Sequence, residues 1–372
     1  MRKGVIYFPG LNGLRAISAL AVVVSHITLA LDQFGLNPYI FGALKDGSPR
    51  GISLAGHGVT IFFVLSGFLI TYLLLAEKER GEISIPKFYM RRILRIWPLY
   101  YLFLFICLGL VWSMNLEINS TSVVFYLFYA ANVPFIMGSA LPLLSHYWSL
   151  GVEEQFYLFW PWVVKRIVNP VLFILAFFGI VVGIKLVLHF RVPGSLAESI
   201  IDITRFHCMM VGALGAVLYK NGNQVYFKLV DNKPVQLFAW LILFLALINQ
   251  LGIPSVIAKE LIALVALALI TGQVRQVNRI INLEKPLFDL LGKISYGIYV
   301  IHPLVIYSFA RLLRHWNPDQ PLLKYCVLYI LLISVTILAS YLSYRYFEQF
   351  FLQMKNRFVV VKSSASRLHA KG

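Results

Sequence analysis

Ten apolar runs of membrane-spanning length follow one another along the chain, at about residues 12–31, 57–76, 96–114, 150–165, 169–189, 203–219, 235–252, 255–274, 287–310 and 323–347. About 20 apolar residues in a helix cover the ~30 Å hydrocarbon core of a bilayer. Inside that core every backbone N–H and C=O must be satisfied within its own segment, so each run has to be a helix. Composition agrees: 59% of residues are hydrophobic and only 13% are charged, about half the charge fraction of a soluble domain. The predicted fold is all-α, a polytopic membrane helical bundle of about ten transmembrane helices. It occupies residues 1–350 and is followed by a basic tail over 351–372.

The formal net charge of +17 raises the question of nucleic acid. Its placement argues for membrane lipid as the surroundings and against a nucleic-acid partner, because the basic residues sit in the short loops between apolar runs. An eleventh stretch, 122–138, carries Asn132 and Pro134 and suits either a span or a re-entrant segment. If it does not cross and the N-terminus is cytoplasmic, one side collects Lys78, Arg80, Lys87, Arg91, Arg92, Arg95, Lys165, Arg166, Lys220, Lys228, Lys233, Arg275, Arg279, Lys285, Lys355, Arg357, Lys362, Arg367 and Lys371. The other side keeps Lys45, Arg50, Arg191, Arg205, Arg311, Arg314 and Lys324. That is a positive-inside pattern with both termini cytoplasmic. The tail after Phe358 reads as polar, basic and loosely ordered. No cleavable signal peptide is expected, since the first apolar segment holds Arg15 and leads into further spans. Cys107, Cys208 and Cys326 show neither metal spacing nor a disulfide framework, so no metal is expected. No internal repeat is evident, which weighs against an inverted-repeat transporter. Apolar outer faces serve lipid and partner subunits equally, leaving the oligomeric state open.

Ionisable side chains within spans need a partner or a task. Arg15 and His26 both lie in the first run, LNGLRAISALAVVVSHITLAL. Eleven steps of ~100° bring them back to within roughly 20° of one direction, so they share a helix face, roughly 16 Å apart along the axis. Arg15 falls near the cytoplasmic end and His26 in the outer half. A neutral imidazole there suits a general base; a buried, carbonyl-satisfied His with Arg15 snorkelling to the interface is the blander alternative. Arg91, Arg92 and Arg95 open the third run, with Arg92 and Arg95 on one face. They suit phosphates, or equally a positive-inside anchor beside the aromatic belt of Trp97, Tyr100 and Tyr101.

Glu153 and Glu154 begin the apolar helix at 150–165 and point about 100° apart. They suit the helix dipole, or one faces solvent while Glu153 turns inward to hydrogen-bond an imidazole. Ser66-Gly67 permits close helix approach; a catalytic Ser lacks its G-x-S-x-G context. Tyr296, Tyr299 and His302 fall at i, i+3 and i+6, one broad face, which suits an acceptor site or a polar stripe satisfied within the bundle. An anionic donor inside and a hydroxyl acceptor outside fit these features. So does a proton-coupled transporter or flippase for a lipid-linked sugar, using His26 and Glu153 as a relay. A purely structural membrane protein is the third class.

The ordered motifs resemble acyltransferase family 3, integral membrane proteins that O-acylate surface glycans. Arg15 and His26 match its Arg-x10-His signature. Arg92-Ile93-Leu94-Arg95 is similar to its R-x-x-R motif, and Trp148-Ser149-Leu150-Gly151-Val152-Glu153 to its W-S-L-x-x-E motif. Phe62 through Phe68, and Ser295-Tyr296-Gly297-Ile298-Tyr299 through His302, resemble further family segments. The resemblance covers about residues 10 to 350. It implies an O-acetyltransferase with His26 catalytic and Arg15 its companion; an inward Glu153 is expected, from its own position, to orient His26. Arg91, Arg92 and Arg95 would then serve the donor, cytoplasmic acetyl-CoA, a co-substrate rather than a resident cofactor. His302, Tyr296, Trp148 and Ser66 would line the acceptor side. The acceptor would be a hydroxyl of a surface polysaccharide, an O-antigen or a lipid-linked sugar, reached from the bacterial cytoplasmic (inner) membrane. Some members carry a fused extracytoplasmic hydrolase-like domain. This chain ends soon after its last span, so a single-domain member is expected. Succinyl or longer donors remain open beside acetyl, and so does His26 as base or as acyl carrier.

Overall fold

The computed structural model describes residues 5–44, 47–313, 316, 320–361 and 363–364. After a short strand β1 (Ile6–Tyr7) come helices α1 (Leu11–Leu29), α2 (Ile52–Lys78) and α3 (Ile85–Ser113). Then follow α4 (Ser120–Leu127), α5 (Asn132–Ile136), α6 (Trp148–Arg166), α7 (Pro170–Arg191), α8 (Leu196–Thr204) and α9 (Phe206–Lys220). The chain continues through α10 (Gln224–Val230), α11 (Lys233–Leu247), α12 (Ser255–Arg275), α13 (Pro286–Lys293), α14 (Ser295–Leu312), α15 (Pro321–Ser343) and α16 (Gln349–Lys355), and the described part closes on β2 (Ser363–Ser364).

Among the described residues seven helical segments are long and apolar enough to cross a membrane, or up to nine if each of two bent pairs is one span: α10–α11, bent by 52°, and α13–α14, bent by 66°. The run expected at 150–165 is α6. Its 19 residues reach ~28 Å, but Glu153, Glu154, Lys165 and Arg166 set it apart from the purely apolar spans. The 122–138 stretch breaks into α4 and α5, 8 and 5 residues long, so neither piece reaches across. Asn119 caps α4 by accepting from the backbone N–H of Thr121 and Ser122. The protein is therefore a multi-pass membrane helical bundle.

Helices in lipid associate by close packing, and here small residues let backbones touch. A Cβ on Gly67 of α2 would lie 1.9 Å from the Met209 carbonyl oxygen of α9, and one on Gly212 would lie 2.0 Å from that of Val64. This contact fixes the α2–α9 crossing. α1 is 72% buried whereas α7 is only 11% buried, so α1 runs through the centre and α7 along the rim. α1 contributes Leu11, Leu14 and Val22 to the apolar core shared with α2, α3, α6, α9 and α12. Its Ala16, Ala19, Val23 and Ile27 join a second core with α14 and α15. The polar face of α1 thus lies on the seam between two cores.

The ends of the described chain meet. β1 pairs in parallel with β2, Ile6 beside Ser363, so both lie on one face of the bundle. The last span runs into a π-helical turn, Tyr344–Glu348, and then α16, which packs on α3. The expected boundary at 350/351 falls inside α16, and residues up to Phe358 hold to the bundle through Arg91 Nη1, which donates to the Phe358 carbonyl at 3.0 Å. Lys45, Arg314, Lys362, Arg367 and Lys371 lie outside the described residues.

Candidate functional site

A cavity of about 90 Å³ opens between α1, α2, α3, α6 and α14. Arg15 enters it from α1, and Arg92 and Arg95 from α3; Ser66, Glu153, Tyr157, Tyr296 and Tyr299 complete its polar lining. The helical spacing of Arg92 and Arg95 places both on the cavity side. Glu153 accepts a hydrogen bond from Ser66 Oγ. The Arg92 guanidinium lies over Tyr157, 5.4 Å from the ring centroid, and over Phe88 at 5.9 Å. Among the described residues, none of Arg15, Arg92 and Arg95 has a carboxylate within ion-pair distance. Three guanidinium groups facing one cavity, with the single Glu153 carboxylate on its wall, give it the chemistry to take an anion.

Arg91 belongs elsewhere. Its guanidinium pairs with the buried Glu77 and ties down the Phe358 carbonyl, so it holds the tail to α2 and α3 rather than lining the cavity. Gly67 and Ser66 divide their work: the glycine faces α9 while the hydroxyl faces Glu153.

His26 sits further along α1. Its Nδ1 lies 2.6 Å from His302 Nε2. The 4.9 Å between ring centroids fits an edge-to-edge hydrogen bond rather than a face-to-face stack. His302 Nδ1 lies 3.0 Å from the Ile298 carbonyl oxygen, which can only accept, so that nitrogen carries a proton. In neutral His302 the Nε2 is then a bare lone pair, and it accepts the N–H of His26 Nδ1. The second nitrogen of His26, Nε2, is left as a lone pair, the form a base or nucleophile needs. Pro303 cannot donate to the Tyr299 carbonyl, which loosens the backbone ladder beside this bond. His302 is fully enclosed at 0% exposure, whereas His26 keeps partial exposure.

The expected bond between Glu153 and an imidazole is not formed: Glu153 meets Ser66, and the partner of His26 is His302. Two further expectations change place. Trp148 lies beneath the Arg205 guanidinium at 5.1 Å and against Phe135 at 5.5 Å, away from the cavity. His302 touches His26 rather than open space. Tyr296 is anchored by donating to the Ile96 carbonyl at 2.7 Å, and Tyr299 by donating to that of His146 at 2.8 Å. Tyr299 also shares a hydrogen bond with Ser149 Oγ, and both line the cavity.

Sequence reasoning gave no role to His146 or Tyr157, and named Ser149 only as a motif position. The His146 ring lies 5.3 Å from that of His302 and 6.5 Å from that of His26. Its only signal was its place two residues ahead of Trp148. No group of three or more metal-ligating side chains converges among the described residues.

The sequence profile of a family described as an acyltransferase domain matches residues 8–345. O-acetyltransferase OatA of Staphylococcus aureus (strain NCTC 8325 / PS 47) is 25% identical over 92% of this chain and 57% of its own length. A putative O-acetyltransferase of Staphylococcus aureus (strain COL) is 28% identical over 93% of this chain and 57% of its own. The chain thus spans a little over half the length of these curated relatives. No solved structure matches it.

Proposed function

This chain belongs to the acyltransferase domain family, and on that premise we propose that it is a membrane O-acetyltransferase. It takes acetyl from cytoplasmic acetyl-CoA and passes it to a hydroxyl of a surface polysaccharide, O-antigen or lipid-linked sugar on the far side of the bacterial cytoplasmic membrane. The observation that carries the reading is the His26–His302 hydrogen bond, which leaves His26 Nε2 as a lone pair beyond a cavity bearing three arginines.

The cavity's size supports a division of the donor. About 90 Å³ holds an acyl thioester and a few more atoms, far below the ~300 Å³ or more of a site for a drug-sized ligand. The nucleotide therefore stays at the cytoplasmic mouth, its phosphates toward Arg92 and Arg95, and the pantetheine arm threads inward past Arg15. The roughly 16 Å between Arg15 and His26 is within that arm's extended length. The acceptor O–H gives its proton to His26 Nε2, and its oxygen attacks the thioester carbonyl carbon. The C–S bond breaks, and the departing thiolate takes the proton from His26. His302 holds the tautomer throughout. General-base help of this kind is worth ~10²–10⁴-fold. Arg15, roughly 16 Å from His26 along the helix axis, holds the donor arm rather than the reacting carbonyl, and Glu153 with Ser66 shapes the donor end.

A proton-coupled transporter would use His26 and Glu153 as a relay, and the separate partners of these two residues speak against it. The test is labelled acetyl-CoA given to membranes with a surface glycan. Acetate covalently on the glycan is expected; uptake or flipping without covalent change would establish the transporter instead.

A further inference from the structure

A second, larger cavity of about 350 Å³ lies between α3 and α6. It shares Arg92 and Tyr157 with the first but opens sideways. The two adjacent carboxylates are divided between them, Glu153 in the first and Glu154 in the second. At the rim stand Phe128 and Leu158, 78% and 66% exposed. Leu158 is at mid-length of α6, and Trp97 lies well within α3. The mouth therefore faces acyl chains rather than water.

Four polar atoms buried in this lining form no hydrogen bond of full geometry, Arg92 Nε, Trp97 Nε1, Tyr129 Oη and Glu154 Oε1, although the Trp97 N–H and the Glu154 carboxylate face each other in a weaker contact. Gln155 is not among them, since its amide donates to Asn132 Oδ1 at 2.7 Å and to the Tyr129 carbonyl at 3.2 Å. Unmet polar groups within a membrane are costly, so four converging on one cavity call for an occupant. Their chemistry defines it. Beyond the weak Trp97–Glu154 contact, Glu154 can accept, Arg92 and Trp97 can donate, and Tyr129 can do either. A phosphate or sulfate offers acceptors alone and would set negative charge on Glu154. An ammonium offers donors alone and would face Arg92. A hydroxyl offers both without charge. The aromatic wall, with Tyr129 stacked 5.4 Å from Trp97 and 4.1 Å from Tyr100, presents flat apolar faces suited to the C–H side of a polyol.

We propose that this lateral cavity binds the neutral, polyhydroxylated headgroup of a membrane amphiphile, with its apolar tail leaving past Phe128 and Leu158 into the bilayer. The site is separate from the histidines: Tyr100 and Tyr147, 4.4 Å apart, stand between Tyr129 and His146. Occupancy would be felt at the donor cavity through Arg92, which with Tyr157 is common to both.

The test reads binding alone and does not depend on acetyl transfer. The full-length protein in phosphatidylcholine nanodiscs is photolabelled with a dodecyl glucoside carrying a diazirine on its chain, and the label is mapped by mass spectrometry. Label concentrated on peptides bearing Phe128 and Leu158 is expected. Octyl glucoside or monoacylglycerol should suppress it, the two separating a sugar head from a glycerol head, while octyl sulfate and octylammonium should not. Glu154→Gln, and independently Trp97→Phe, which keeps its ring and loses only the N–H, should each weaken labelling about tenfold. Label spread evenly over the lipid-facing surface, equal suppression by the charged amphiphiles, or full labelling of both folded variants would overturn the proposal and leave a merely hydrated cavity.

Discussion

At the scale of single residues, the site rests on which atom of His26 is free. His302 fixes that by accepting from His26 Nδ1 while its own Nδ1–H is held by the Ile298 carbonyl. His302→Gln retains an oxygen able to accept the same N–H, and His302→Ala does not. With folding verified by melting, His302→Ala should lose on the order of 10²-fold or more in kcat with little change in KM for acetyl-CoA, and His302→Gln should recover part of that loss. Equal activity of all three proteins would remove His302 from the mechanism. The arginines separate in another way. Arg95→Ala should raise the apparent KM for acetyl-CoA, since Arg95 lines the cavity. Arg91→Ala should instead destabilise the fold by roughly 3 kcal/mol, because it strands the buried Glu77. A KM effect confined to Arg91→Ala would reverse the assignment.

The sequence made Arg15 and His26 legible because helical periodicity is local: eleven residues return to one face whatever surrounds them. Glu153 was legible as an inward carboxylate but not as the partner of Ser66, because that depends on how far α6 slides along α2. The His26–His302 bond joins residues 276 apart, a relation no local spacing carries.

At the scale of elements, the α2–α9 crossing is the tightest joint described here. Gly67→Ala forces a methyl group toward the Met209 carbonyl, where 1.9 Å separates the two positions. It should lower stability by about 1–3 kcal/mol or more. Gly109→Ala, with nothing within 4 Å of its Cβ position, should be tolerated. Comparison of their melting temperatures in one detergent checks this, and equal values would mean that the crossing is looser than drawn. The helices themselves follow from apolar runs of the right length. The 66° break between α13 and α14 does not. It accompanies the contact of Gly292 with the backbone of Asn12 on α1, where a Cβ would lie 2.2 Å from the Asn12 carbonyl oxygen, a tertiary demand invisible in a continuous apolar run. The π-helical turn at Tyr344–Glu348 likewise left no sign in the hydropathy.

At the scale of the whole molecule, the placement of basic loops orients a bundle whose ends meet on one face through β1 and β2. On the proposed positive-inside orientation the arginines face the cytoplasm. Single cysteines in a chain freed of Cys107, Cys208 and Cys326 test it. An impermeant thiol reagent should reach Leu116→Cys and Val192→Cys in intact cells, and Glu82→Cys and Val168→Cys only after permeabilisation. The opposite pattern would place the donor mouth outside and invert the proposed direction of transfer.

All three scales bear on the proposal that an acyl group from one side of the membrane meets a hydroxyl from the other at His26. The most direct measurement uses proteoliposomes, with radiolabelled acetyl-CoA on the cytoplasmic face and a glycan acceptor on the other. The unaltered protein should place label on the glycan, and His26→Ala should place none while melting as the unaltered protein does. Near-normal acetylation by His26→Ala would contradict the central role given to this residue.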